Sequence, residues 1–155
     1  MTVYSSEELK AANVNPDTGL ATDYLNLFNE AIMLFEMGLD MPDMAEELTD
    51  WERRGYVEHF EKSGFEQKDV VIGAYLSSPE EVRLPFDAAC DKALDEFESG
   101  IQILLSSNTG NSVAREDLEA RLDSMKTHVI EMDAHIHGRA ERIEDDLQNA
   151  VDALF

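Results

Sequence analysis

Three side chains in the last third of the chain have the types and spacing to hold a metal ion. His128, Glu131 and His135 stand at i, i+3 and i+7, which places them on one face of a helix. Imidazole with carboxylate suits zinc or iron, so a metal-binding helical bundle is one reading of the chain. Against it, Glu131 and His135 also make an ordinary i, i+4 pair, and the stripe borders the apolar seam rather than filling it. A di-iron bundle needs two Glu-x-x-His units with a Glu on each of two further helices, and only one helix here carries histidine in this way. The leading expectation is therefore no cofactor, with zinc or iron as the alternative. His137 falls off the stripe and is expected to face solvent.

A second cluster combines aromatic and basic residues: Trp51, Arg53, Arg54, Tyr56, His59 and Phe60. Trp, Tyr and Arg dominate binding hot spots, so the cluster is a candidate partner-binding face. The plainer alternative has Trp51, Tyr56 and Phe60 closing one end of the core while the arginines pair with nearby Glu.

Other chemistry is thinly represented. Cys90 sits on an apolar stripe beside Ala89 and Ala93, where a thiol behaves as a small hydrophobe. A nucleophile there needs a base and a lowered pKa, and spacing supplies neither. The turn-rich run 13–19 has oxygen donors at Asn13, Asn15 and Asp17, half of a calcium loop. Its glycine, Gly19, comes one place late, and Tyr24 stands where a bidentate Glu is required. No phosphate-binding glycine loop, His-Glu-x-x-His, Gly-x-Ser-x-Gly or Cys-x-x-Cys occurs. Nothing nominates an enzyme.

Charge narrows the partners. The chain has 155 residues with 34 Asp and Glu against 12 Lys and Arg, a formal net charge of −22. Such a balance repels phosphate backbones and anionic membranes, so neither direct nucleic-acid binding nor membrane binding is expected. A solvated surface or a salt-adapted host explains the acid without a function. A docking face for a basic protein, or a mimic of DNA that sequesters a nucleic-acid-binding protein, explains it with one. The 43% of hydrophobic residues is too high for a disordered acidic tail. One cysteine allows no internal disulfide. The first residues have no basic and apolar leader pattern, and the longest apolar runs fall far short of the roughly 20 residues a bilayer span needs. A cytoplasmic protein is the expectation.

The elements that must position these residues read as helices throughout. A lead segment, 1–21, holds a short helix capped by Ser5 or Ser6 and then a turn. Thr22 is placed to cap a helix over 23–37 that Gly38 ends, with apolar residues over well more than one face. A second helix starts at Pro42, buries Met44, Leu48 and Trp51, and breaks at Gly55. A short piece over 56–62 and a helix over 65–77 follow. Ser78-Pro79-Glu80-Glu81 is a strong helix start, although Pro85 should kink or restart that helix.

Two long seams close the chain. Phe86, Cys90, Ala93, Phe97, Ile101 and Leu104 step by four and three up to the loop at 106–112. Leu118, Leu122, Met125, Val129, Met132 and Ile136 continue the same stepping through Ala140, Ile143, Leu147, Ala150 and Leu154, with a stutter between 132 and 140. As one helix, residues 113–154 would span roughly 63 Å, so the helix either breaks at Gly138 or projects. A projecting seam needs a partner, most simply a second copy, which makes Ala140, Ile143, Leu147, Ala150 and Leu154 the candidate dimer seam.

The expectation is thus all-α: a single helical domain over 1–155, a bundle of five to six helices. Shorter helices over 22–78 pack on a long antiparallel C-terminal hairpin over 79–155. The expected function is a non-catalytic acidic helical protein that mediates protein–protein interaction, an adaptor or regulator, forming a homodimer and binding a protein partner of basic character.

Overall fold

The computed structural model describes residues 4–107 and 113–138. Among these the fold is all-α, with seven α-helices and two 3-10 turns. The helices are α1 (Ser6–Ala11), α2 (Asn26–Gly38), α3 (Pro42–Glu46), α4 (Tyr56–Ser63), α5 (Lys68–Ser77), α6 (Glu80–Ser107) and α7 (Arg115–Ile136). No helix among them is long and apolar enough to cross a membrane.

The hairpin of α6 and α7 is the frame. Glu96 of α6 meets His128 of α7, and four residues on, Gly100 faces Met125. Rising numbers on one helix oppose falling numbers on the other, so the pair is antiparallel. Every seam position named on α6, and those on α7 from Leu118 to Ile136, is buried. Helix α2 lies against both and sends Phe28, Ala31 and Phe35 into the core, all fully buried. Phe28 meets Phe97 edge to face at 5.0 Å between ring centres, a geometry that adds about 0.5–1.5 kcal/mol to area burial.

The lead segment is part of this core. Ser5 and Glu8 form a reciprocal capping box at the start of α1. The chain then reverses, with Asn13 and Gly19 in the left-handed region. Asn15 Oδ1 accepts from the backbone N–H groups of Asp17 and Thr18. The half calcium loop is therefore a turn whose side-chain oxygen is already engaged. Ala12, Leu20 and Ala21 are fully buried.

Several boundaries differ from expectation. Thr22 caps nothing with its side chain; it opens a 3-10 turn, Thr22–Leu25, that leads into α2. Gly38 does not stop α2 by left-handed geometry. It is buried against α3, where a Cβ would stand 2.8 Å from Ala45 Cβ and 2.9 Å from its Cα, so its missing side chain serves close helix approach. The helix expected to run from Pro42 towards Gly55 ends early: α3 gives way to a 3-10 turn, Glu47–Asp50, and Trp51 is extended. Ser78 is drawn away from the start of α6, with its hydroxyl 2.8 Å from Thr18 O and 3.0 Å from Ala74 O. Pro85 neither ends nor restarts α6, which runs through it unbroken. It lies exposed near the helix start, where water can take the carbonyl that its missing N–H leaves.

The long C-terminal helix is resolved in favour of a break. Helix α7 ends at Ile136, and Gly138 is left-handed with φ +74°. The second arm of the hairpin is thus 22 residues, about 33 Å. The proposed dimer seam, Ala140, Ile143, Leu147, Ala150 and Leu154, lies outside the described residues.

Candidate functional site

Among the described residues the large apolar side chains left exposed are Met33, Met37, Met41, Leu76 and Leu84, and the first three follow one another along and just past α2. Helix α2 turns Phe28, Ala31 and Phe35 inward, which forces residues on its far side outward even where they are apolar. Met33 is 53% exposed and Met37 36%, one turn apart on the same face. Met41 N–H donates to Met37 O at 3.0 Å. That bond closes a turn past the end of α2, and Met41, 46% exposed and extended where the chain enters α3, follows the two methionines there.

Beside this row the surface dips into a groove of about 300 Å³ between α2 and residues 47–54. Its apolar floor is Leu27, Leu34 and Trp51; its walls are Glu30, Glu47, Asp50 and Glu52, with Arg54 also lining it. Trp51 is fixed there by its indole N–H donating to Leu27 O at 2.9 Å and by stacking on Phe97. Glu47 and Asp50 also line a second hollow, with Pro42, Asp43 and Leu105.

Acids around the row differ in their compensation. On one flank Glu36 pairs with Lys126 at 3.8 Å, and Asp40 pairs with Arg115. The hydrogen bond from Arg115 holds the Asp40 carboxyl below the usual carboxylate range. On the groove flank Glu52 pairs with Arg54 at 3.1 Å. Glu30, Glu47 and Asp50 form no ion pair with any cation among the described residues.

The aromatic-basic cluster is split by the fold. Tyr56 and Phe60 are buried and offer a partner no surface, which corrects their assignment to a binding face. Tyr56 stacks on Tyr75, and its hydroxyl accepts from Ala21 N–H at 2.9 Å. Burial pushes the Tyr56 and Tyr24 hydroxyls up, well out of titrating range. His59 packs edge-on to Tyr24 and Phe60, with its buried Nδ1 unpartnered among the described residues. Burial, aided by Arg54, lowers its pKa. Arg53 leaves the cluster for α6, pairing with Asp95 at 2.6 Å and Glu98 at 3.7 Å. Trp51 and Arg54 alone join the groove.

The histidine stripe does not converge. Among the described residues no three His, Cys, Asp or Glu side chains meet as a metal ion requires. The reason is the partner helix: His128 is buried against α6, and its Nε2 sits 2.8 Å from Glu96 Oε2. Ser124 donates to the same oxygen. Burial pushes the Glu96 carboxyl up, but the bonds from Ser124 and the nearby His128 outweigh it and hold the carboxyl low. Glu131 and His135 stay half-buried away from that bond, and burial lowers the His135 pKa against the pull of Glu131. His137 is exposed, with Nδ1 near Asp133. Cys90 is buried, and desolvation pushes its thiol up, the opposite of what a nucleophile needs. A hollow of about 230 Å³ between the lead turn and α5 has Thr18 and Ser78 in its lining, but both hydroxyls are already bonded.

No family model matches this chain, and no curated protein or solved structure matches it either. The surface itself therefore carries the functional reading. The sequence pattern did not single out the methionines, since the helix over 23–37 reads as apolar over well more than one face. Their signal was present: Met33, Met37 and Met41 at four-residue steps among Glu30, Glu36 and Asp40.

Proposed function

We propose that this chain is a non-catalytic acidic helical protein that mediates protein–protein interaction, an adaptor or regulator that also self-associates. The observation that carries the reading is the exposed row Met33, Met37 and Met41 set in a surface rich in Asp and Glu. Flexible thioether side chains adapt to varied partners and recur at binding surfaces. An apolar strip rimmed by charge is the usual form of an interaction site. The net charge of −22 favours a basic partner by steering and by complementarity.

Self-association rests on the sequence pattern of Ala140, Ile143, Leu147, Ala150 and Leu154, which repeats as a coiled-coil seam does. Truncation after Gly138 tests it, because α7 already ends at Ile136. The truncated chain is expected to keep most of its helicity and run as a monomer, with the full chain running as a dimer. Equal masses in solution for the two would remove the dimer.

The wider reading is tested by affinity capture of the tagged full chain from its host's extract at low and moderate salt. A protein partner retained at moderate salt supports the adaptor. Nucleic-acid-binding proteins released by salt favour DNA mimicry instead. Recovery of the chain alone removes the adaptor.

A further inference from the structure

The methionine row and the groove beside it are complementary to one kind of occupant. Resting on the interaction reading above, we propose that they seat a cationic amphipathic helix of a partner protein. Its apolar face would lie along Met33, Met37 and Met41, and its Lys or Arg side chains would enter the groove over Trp51.

The row fits a helix in pitch. On α2 the four-residue step from Met33 to Met37 covers roughly 6 Å of helix axis at about 1.5 Å per residue, the spacing of apolar anchors at i and i+4 on a docked helix, and Met41 follows in the extended residue before α3. The groove fits a long cation in chemistry. Leu27, Leu34 and Trp51 take the aliphatic stem, while Glu30, Glu47 and Asp50 offer carboxylates to the charged head and Arg54 in the same lining is held by Glu52, the division that Lys and Arg side chains favour.

The charge asymmetry fixes orientation. Lys126 and Arg115 pair with Glu36 and Asp40 on the far flank, whereas on the groove side Arg54 pairs with Glu52 and leaves Glu30, Glu47 and Asp50 without an ion pair among the described residues. The partner's cations therefore belong along one edge of its helix. A second copy of this chain is a poor occupant, because it would bring its own excess of carboxylates to the same place.

The test uses the full chain and a labelled helical peptide with Leu at i, i+4 and i+8 and Lys along one edge, beside its Lys-to-Gln analogue. The Lys peptide is expected to bind and to weaken as salt rises. Both E47Q with D50N and M33Q with M37Q are expected to weaken it about tenfold, and the analogue to bind at least that much less tightly. The charge-matched control E61Q with E66Q, at exposed positions away from the groove, is expected to leave affinity unchanged. No binding of the Lys peptide overturns the proposal. So does equal weakening by the control, equal binding of the analogue, or a change of oligomeric mass in M33Q with M37Q, which would assign the face to a second copy. A captured protein partner that binds the groove variants as well as the parent chain overturns this proposal and leaves the adaptor reading standing. Capture of no partner defeats the adaptor reading itself.

Discussion

Thr18 donates its hydroxyl to the carbonyl of Ile136 across 2.6 Å, joining the lead turn to the last residue of α7, 118 positions away. The same oxygen accepts from Leu20 N–H at 3.2 Å, and Thr18 O receives Ser78 Oγ at 2.8 Å. One buried residue thus secures the end of α7 and the tip of the lead turn through its hydroxyl, and the junction of α5 with α6 through its backbone carbonyl. A helix end leaves its last carbonyls without internal partners, and here one of them is satisfied from the opposite end of the chain.

Thr18→Val keeps the volume and removes the hydroxyl, stranding Ile136 O and Leu20 N–H. The expected loss is about 1–3 kcal/mol, the cost of buried groups left unpaired. Chemical denaturation checks the size. Amide exchange checks the place, since protection should fall first at Leu20 and in the last turn of α7.

Gly38→Ala tests the close approach of α2 and α3. An added Cβ meets Ala45 Cβ and Cα inside 3.0 Å, so the helices must part. Overpacking of this kind costs about 1–3 kcal/mol, although alanine has the higher helix propensity. If Gly38 were only a helix stop, the substitution would be nearly neutral. Adding Ala45→Gly should recover part of the loss and not all, because the Ala45 backbone N stands 3.1 Å from the same point.

His59 gives the fold a pH dependence of known sign. Its folded pKa is lowered below 6.5 by burial and by Arg54, with the Asp23 backbone and carboxylate opposing. In the window between that folded value and 6.5 the unfolded chain binds the extra proton, so stability rises with pH. It is full above about 6.5 and declines as pH falls through the window. Burial of His135 acts in the same direction. Replacing His59 with Gln should flatten the slope of unfolding free energy against pH below 6.5, and an unchanged slope would assign the dependence elsewhere.

Sequence reveals what repeats locally and hides what closes from afar. The steps of three and four through Phe86 to Leu104 and Leu118 to Ile136 are geometric necessities of a buried helix face, and all of them are buried. The Ser5–Glu8 box is equally local. Gly38 and Ser78 mislead for a shared reason: each resembles a helix signal, yet its role is set by a residue elsewhere, Ala45 for one and Thr18 for the other. The same holds for the candidate sites. Tyr56 looks like a recognition residue until Tyr24, Tyr75 and Phe86 surround it, and Phe60 until it packs on Tyr56 and His59. Met33 and Met37 stay exposed because α2 carries more apolar residues than its buried face takes.

His128 is the last case where a distant contact decides a local pattern. Its Nε2 is committed to Glu96, and its buried Nδ1 has no partner among the described residues, so this imidazole gives the core one bond and one unsatisfied atom. His128→Leu removes both. Glu96 keeps its bond from Ser124 and half its side-chain surface in water, so no buried charge is abandoned. The expected change in stability is under about 1 kcal/mol, because an apolar residue here ends the cost of the orphaned nitrogen. The Glu96 carboxyl should titrate higher in the variant, since the pull of His128 is gone. Zinc or iron added to metal-free protein should leave the melting temperature of parent and variant alike unmoved. Binding to the native state must raise it, so a rise in the parent that His128→Leu abolishes would restore the stripe as a metal site.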